Sequence, residues 1–423
     1  MFIGISTAIS AIRRVSESFI RDGLKLYYRF TESFNESQPE LLLSGATSFD
    51  GTDDYINCGN DSSLDITDAI TVSAWMLTTV SSDHQRIVAK QFETDNGTAN
   101  SCFQLAISNS DKFRWAVGGV FDISSSDSIV PNTWNYMVGT YDKTTAKLYV
   151  NGQLVQSTSA TAVIRTSSQD LTIGTTKFNS SIEHETHGSI ANVGIWNRAL
   201  SASEIESIYW KGQYADLKGT ELTNLVSWYN LKDTVLGSNL VTNGDFASDS
   251  DWTKVNNVTI ANGIATMSGD SGTADLKQTN PIPANKRSQI QFTILSSDVS
   301  SNTGLQLMST YGIDVSQDDD GNYIKDVGTH TITGTSSSAD QLFFRVTSGA
   351  GTLTLDDVSV KEVLAKDSTT TNNGSIYGAT TLTDVYSASS PFLPRIQDKA
   401  TPKGAVALAS GSTSFATDDY INT

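Results

Sequence analysis

From Gly23 to about Tyr214 the chain is written in short alternating runs about ten residues apart, and this spacing limits its fold more than any other feature. Ile70–Trp75, Arg86–Lys90, Phe103–Ile107, Phe113–Val117, Trp134–Tyr141 and Lys147–Val150 each place apolar residues on one face at period two. Period two is the repeat of a pleated strand with one face buried. Asn151-Gly152 between two such runs predicts a type I′ hairpin, with Gln153–Gln156 as the return strand. Regularly spaced strands with polar turns predict an all-β sandwich. One short helix is expected through Tyr209, opened by a capping box at Ser201-Ala-Ser-Glu204.

Composition narrows the function classes. At 423 residues the chain is too long for one ordinary domain. Its formal net charge of −18 disfavours nucleic acid and anionic membrane, both of which require clustered Lys and Arg. No run reaches the roughly 18 apolar residues of a membrane span, so no membrane insertion is expected. Cys58 and Cys102 read as two separate buried thiols rather than a bridge.

At the amino terminus, Phe2, Ile5, Ile9, Ile12, Ser16 and Phe19 step by three and four, the period of a coiled-coil seam. Residues 1–22 are therefore expected to be a short helix. It either docks on its own domain or anchors and oligomerises the chain, a trimer being favoured, through Phe2, Ile5, Ile9, Ile12 and Phe19. The stretch does not have the order of charge and apolar residues of a secretory signal, since Arg13-Arg14 follow the apolar run.

Five motifs occur in order: Gly45-Ala-Thr-Ser-Phe-Asp-Gly-Thr-Asp-Asp-Tyr-Ile56, Ile70–Trp75, Asn132-Thr-Trp-Asn-Tyr136, Leu148-Tyr-Val-Asn-Gly152 and Ile195–Glu204. Together they resemble laminin-G-like, concanavalin-A-like lectin domains, which implies a jelly roll of two antiparallel sheets over 23–215. Asn239-Leu-Val-Thr-Asn-Gly-Asp-Phe246, Trp252 and Leu353–Val360 resemble the two ends of a carbohydrate-binding-module-like jelly roll over 238–363. That family lays its first and last strands side by side. Gln289–Leu295, Gly304–Met308 and Gln341–Thr347 read as strands between them.

A repeat ties the remainder together. Gly45–Asn57 recurs as Gly411–Asn422, and Leu24–Phe30 as Leu225–Leu231. Residues 222–237 are accordingly expected to start a second, partial laminin-G-like repeat, interrupted by 238–363 and continued over 364–423. An unpaired strand at Tyr420-Ile421 would be an open edge. The continuation is expected to pack on another domain or add to a neighbouring subunit, the alternative being a loose remnant.

Candidate chemistry is sparse. Glu183 and Glu185 in Ile182-Glu-His-Glu-Thr-His187 fall short of the Glu-x-Asp-x-x-Glu strand of β-glucan-cleaving relatives, and the stretch reads as a polar loop. His184 and His187 with those glutamates have metal-type donors but spacing suited to a helix. The resemblance implies a structural calcium ion as the cofactor, if one is held, at Asp245 with Asp356 or Asp357, which converge if the end strands are adjacent. Asp318-Asp-Asp-Gly321 reads as a hairpin turn, and Asp50, Asp53 and Asp54 as turn formers. Trp75, Trp134 and Trp196 read as core. Trp252, Tyr311 and Tyr323, with Phe121 in the first unit, are the candidate carbohydrate-stacking aromatics in polar loops.

The expectation is a non-enzymatic surface protein of tandem antiparallel β-sandwiches with a short amino-terminal helix. Its modules resemble those of bacteriophage virion fibres and capsid decorations, which implies a virion-surface location, surface glycans as ligands, and other virion proteins as partners through the helix and 364–423. A purely structural virion protein, a secreted bacterial adhesin and a polysaccharide-cleaving enzyme are the alternatives.

Overall fold

The computed structural model describes residues 46–81, 83–91, 101–178, 181–212, 217–299, 305–308, 324–335, 340–369, 371–378 and 380–382. The expected helix over 1–22, the repeat at Gly411–Asn422, Asp318–Gly321, Tyr311 and Tyr323 lie outside these residues.

The strands of the first half are β1 (Ala46–Asp50), β2 (Tyr55–Asn57), β3 (Ile70–Thr78), β4 (Gln85–Gln91), β5 (Ser101–Ile107), β6 (Lys112–Val117) and β7 (Phe121–Ser128). They continue with β8 (Asn135–Tyr141), β9 (Thr145–Val150), β10 (Gln153–Ser159), β11 (Leu171–Ile173), β12 (Thr176–Phe178), β13 (Ser181–Glu183) and β14 (His187–Trp196), and helix α1 (Ala202–Lys211) follows. The second half holds β15 (Leu225–Asn239), β16 (Thr253–Val255), β17 (Val258–Ala261), β18 (Ile264–Ser268), β19 (Ala274–Ile282) and β20 (Arg287–Ser297). It ends with β21 (Leu305–Met308), β22 (Gly328–Thr335), β23 (Asp340–Val346), β24 (Thr352–Asp367), β25 (Gly374–Tyr377) and β26 (Thr380–Leu382).

Two antiparallel sheets face each other in the first sandwich. The back sheet runs β10–β9–β8–β3–β14, with β1 and β15 sharing the far edge of β14. The front sheet runs β7–β6–β5–β4–β11–β2–β25. Val72, Met76, Met137, Ile190 and Ile195 meet Val88, Phe103, Leu105, Trp115 and Ile173 between them. The outer face of the back sheet carries Trp75, Tyr136 and Trp196, which α1 covers with Ile205, Ile208 and Tyr209. The Trp75 and Tyr209 rings stack with centroids 5.6 Å apart. The expected local signals are present: Asn151 and Gly152 have φ of 51° and 79°, as a type I′ turn requires. Ser201 and Glu204 close the capping box at α1. Cys58 and Cys102 are free and buried.

The second sandwich packs β17–β18–β24–β20–β22 against the four-stranded sheet β16–β19–β23–β21. Met267, Ile290, Phe292, Leu353 and Leu355 meet Leu276, Leu342, Phe344 and Val346 in its core. Leu240 donates from its backbone N to Val360 O, and Val358 N donates to Gly244 O, so the first and last segments of this unit lie side by side.

One expectation is corrected. The segment 222–237 does not open a separate sandwich. Tyr229, Trp228 and Ser227 of β15 pair with Val193, Gly194 and Ile195 of β14. Tyr229, Leu231, Val363, Ala365 and Ile376 belong to the first core. Beyond the insertion, β25 pairs with β2 and β26 with β1. The described part of 364–423 thus completes the first sandwich, and the 238–363 unit is inserted into it. The reason is that the repeat preserves the pattern of a strand but not its partner, and β14 and β2 each need a neighbour on their free edge.

Strand β24 serves both units. Leu353, Leu355, Val358 and Val360 fill the second core, and Val363 and Ala365 the first. Burial shifts from odd to even positions at Asp356-Asp357, where Asp357 has φ of 51° and the register against β20 slips. That is a bulge, and its extra residue keeps Val358 and Val360 in the same core as Leu353 and Leu355.

Candidate functional site

The outer face of the front sheet is the arrangement that the back sheet lacks: neither covered by the helix nor apolar. Its residues follow from strand register. One row is Ser375–Asn57–Thr172–Ala89–Gln104–Ala116–Asp122. The adjacent row holds Tyr377–Tyr55 on β25 and β2, and Arg86–Ala106–Arg114–Ser124 on β4 to β7. Alternation puts these residues outward because Val88, Leu105, Trp115 and Ile123 between them point into the core.

The Tyr55 and Tyr377 rings are stacked, with centroids 4.3 Å apart and planes 5° from parallel. Both residues are half-buried. Burial and the neighbouring Tyr377 hydroxyl raise the Tyr55 hydroxyl above its ordinary range. Asn57 Nδ2 donates to Asp170 Oδ2 at 2.8 Å, and Lys177 Nζ reaches the same oxygen at 3.2 Å. Lys286 of the inserted unit donates to Ser375 Oγ at 3.2 Å and to Glu362 Oε2 at 3.0 Å. An aromatic pair flanked by amide, carboxylate and ammonium groups has the chemistry that a pyranose ring and its hydroxyls require.

At the other end, Arg114 grips Asp122 through Nε to Oδ1 at 2.8 Å and Nη2 to Oδ2 at 2.5 Å. The hairpin β12–β13 packs against β4, and Arg86 N donates to His184 O at 2.9 Å. Glu183 ends β13, and Glu185 lies in the loop before β14. The His84 and His184 rings meet edge to face at 5.0 Å, and His187 Nε2 lies 3.6 Å from Asp83. Burial, with Arg86 and His84 close by, pushes the His184 imidazole down to about 4. Its folded value thus lies below the unfolded one, so its contribution to stability is present above the ordinary histidine range and is lost as pH falls toward 4. Because the ring is only half-buried, solvent reduces the effect to at most about 2 kcal/mol. Thermal midpoints measured from pH 7 to pH 4.5 should fall, and His184→Asn, which tolerates the left-handed φ of 61°, should lessen the fall. Equal slopes for both proteins would show that another group governs the acid limb.

The sequence-predicted residues divide clearly. Asp245 and Asp357 line one cavity of about 410 Å³, with Asn239, Asn243, Gly244 and Ser359 around them. The Asp356 carboxylate instead accepts the Asp357 backbone N–H at 2.7 Å. Trp252 is not an exposed stacking platform: it is buried between Phe246 and Phe344, with ring centroids at 5.3 and 6.4 Å, and its Nε1 donates to Asn243 O. Phe121 also packs inward, against Trp115 and Tyr141. Trp75, Trp134 and Trp196 are core residues. Among the described residues, one group of three or more His, Cys, Asp or Glu brings its ligand atoms within 4.8 Å of one another: Asp50, Asp53 and Asp54. Burial and the charges of Asp50 and Asp53 raise the Asp54 carboxyl to about 6. Crowded carboxylates of this kind suit a hard, oxygen-seeking cation such as calcium. The glutamate and histidine stretch 183–187 does not form such a group.

Tyr55, Tyr377, Arg86, Arg114 and Gln104 were not among the sequence candidates. Arg86 sits on a strand that the alternation identified and Tyr55 in the Gly45–Ile56 motif, but the partner Tyr377 is more than 300 positions away in sequence, and nothing local signals its approach.

Residues 50–206 match the family described as the concanavalin A-like lectin/glucanases superfamily. The first sandwich therefore has a lectin-like fold. No curated protein matches the chain. Among solved structures, it is similar to a candidate carbohydrate-binding protein from Bacteroides ovatus ATCC 8483, with 16% identity over 47% of this chain and 55% of that one, at a TM-score of 0.38. The chain thus spans about half the length of that relative. It is also similar to the CBM40 of the Ruminococcus gnavus IT-sialidase bound to α2,3-sialyllactose, with 15% identity over 39% of this chain and 97% of that one, at a TM-score of 0.32. A heptameric SAP-like pentraxin from Limulus polyphemus aligns at 13% identity over 40% of this chain and 84% of that one, at a TM-score of 0.31.

Proposed function

We propose that the chain is a non-enzymatic glycan-binding surface protein whose first sandwich holds saccharide on the outer face of its front sheet. The observation that carries this reading is the half-buried Tyr55–Tyr377 pair set among Asn57, Asp170, Lys177 and Lys286. Polar residues on a sheet face beside an aromatic pair are of little use to a core, which prefers apolar contact. They suit a ligand with one apolar ring face and many hydroxyls.

A structural calcium ion is part of the proposal, at Asp50, Asp53 and Asp54 or at the cavity of Asp245 and Asp357. The setting we propose is the outside of a bacteriophage virion, with the chain assembled as a homo-oligomer; the sequence resemblance of both modules supports it.

The test is a glycan array probed with the intact protein, in calcium and in EDTA. Saturable binding is expected. Tyr55→Ala should weaken it up to about tenfold, since one aromatic ring contact is worth about 0.5–1.5 kcal/mol. Its thermal midpoint should fall modestly, because the ring also stacks on Tyr377 across β2 and β25. If calcium is structural, EDTA should lower the midpoint of the wild type, and Asp54→Asn or Asp357→Asn should identify which group holds the ion. Absence of binding to any glycan, in either condition, would refute the reading and leave the sandwiches as scaffold.

A further inference from the structure

Lys90 of β4 is fully buried: its side chain is 0% exposed, whereas the ion-paired Lys143, Lys177, Lys211 and Lys286 keep between 10% and 38% of theirs in solvent. Its strand neighbours Leu171 on β11 and Phe103 on β5 are core residues. An ammonium in such a place has lost its hydration, and a few protein groups must replace it. Nζ donates to Gln169 O at 3.1 Å and to Asn60 Oδ1, and Asp65 Oδ1 lies 3.6 Å away.

The loop between β2 and β3 holds the amide and the carboxylate in place. Leu171 N donates to Gly59 O, and Gly59 N to Asn57 Oδ1, so the residue before Asn60 is fastened to the strand beside Lys90. A 3-10 turn, Ser62–Leu64, follows; Asp61 caps it by accepting from Ser63 N, and Asp65 N donates to Ser62 O. Leu64 is buried and anchors the turn. Lys90, Asn60 and Asp65 are thus brought together by ordered backbone on both sides.

The group suits acyl transfer as well as charge pairing. An amine must be neutral to act as a nucleophile, and a desolvated lysine gives up its proton most readily. Burial holds the Lys90 ammonium below its ordinary range, against the opposing charge of Asp65. The hydrogen bond to Asn60 Oδ1 puts Nζ beside the carbonyl carbon that carries that oxygen. Asp65 is a carboxylate placed to take the ammonium proton. Asn60 itself is exposed, so a small leaving group has a way out.

We propose that Lys90 and Asn60 join in an intramolecular isopeptide bond, with Asp65 as the proton carrier. Asp65 takes a proton from the Lys90 ammonium, and the neutral Nζ attacks Asn60 Cγ. The new C–N bond forms as the Cγ–Nδ2 bond breaks. Nζ gives up two protons in all: Asp65 passes one to Nδ2, which leaves as ammonia, and the ammonia carries the other into water as ammonium. Nothing is oxidised or reduced, and no co-reactant is required. The ring so closed contains β3, which pairs with both β8 and β14 in the back sheet. Such a cross-link restricts the unfolded chain as a disulfide does, in a protein whose two cysteines are free.

The test is the intact mass of the full chain under denaturing conditions, followed by tryptic mapping. The wild type should be lighter than its sequence by one ammonia. The map should contain a branched peptide that carries Lys90 and Asn60 and is uncut after Lys90. Lys90→Met should restore the full mass. So should Asp65→Asn, which keeps the side-chain volume and serves if the methionine variant fails to fold. A wild type of full sequence mass would overturn the proposal. A loss of ammonia that persists in Lys90→Met would overturn it too, since that is the mark of Asn60 closing on its own backbone.

Discussion

Replacing Asp367 with alanine is expected to destabilise the first sandwich by about 3–5 kcal/mol, the largest effect of any single polar substitution considered. The carboxylate is fully buried at the end of β24. It accepts from Trp228 N at 2.9 Å, Thr369 N at 3.1 Å, Thr369 Oγ1 at 2.5 Å and Asn372 N at 3.1 Å. Asn372 in turn donates to Ser227 Oγ at 2.8 Å, and Tyr229 Oη donates to Asn372 O at 2.5 Å. Alanine would leave several buried donors without acceptors in the place where the chain returns from the inserted unit. Differential scanning calorimetry should show the first-sandwich transition lowered by roughly 10 °C or more. Asp367→Asn, which retains one acceptor oxygen, should fall between. A loss under about 1 kcal/mol for the alanine variant would show that packing of β15 and β25, not this carboxylate, closes the sandwich.

The second large effect belongs to Trp252. Trp252→Ala should cost about 3–5 kcal/mol, the usual range for removing a large aromatic side chain from a core. The loss should be confined to the inserted unit, where Phe246 and Phe344 lose their ring contact and Asn243 O its donor. Hydrogen exchange should report it as faster exchange across β16–β23, with β1–β14 unchanged. Trp252→Phe should lose far less. Were Trp252 a ligand platform, the alanine variant would keep its exchange pattern and lose glycan binding instead; that outcome would reverse the assignment made from its burial.

The tryptophans show how far sequence reasoning reaches and why it stops. Trp75, Trp134 and Trp196 sit in strand-like runs and read as core, and they are buried, though in the cluster under α1 rather than between the two sheets. Trp252 precedes a strand of three residues in a Ser- and Asp-rich stretch, where polar neighbours suggested exposure. Its burial comes from Phe344, more than 90 positions on, and a local composition cannot report that partner. The acidic pair is the converse. Asp245 and Asp357 line one cavity because Gly244 lies against Val358, where a side chain on residue 244 would come within 2.0 Å of the Val358 carbonyl oxygen. The family resemblance supplied that adjacency; the residues alone do not.

The same division runs through the molecule. Strand alternation, the Asn151-Gly152 turn and the Ser201 cap are written in neighbouring residues, since they depend on local dihedral preference and on which face is apolar. The sequence by itself therefore determined an all-β chain of sandwiches, with a helix closing the first part. Only the tertiary structure decided that β15, β25 and β26 complete the first sandwich, that β24 serves two cores, and that Arg86, Gln104 and the Tyr55–Tyr377 pair share one face. Strand pairing is made by backbone hydrogen bonds, which every residue but proline offers alike. A period-two pattern says which face a strand buries and is silent about its neighbour. The neighbour is chosen by closing the sheet edges and filling the core together.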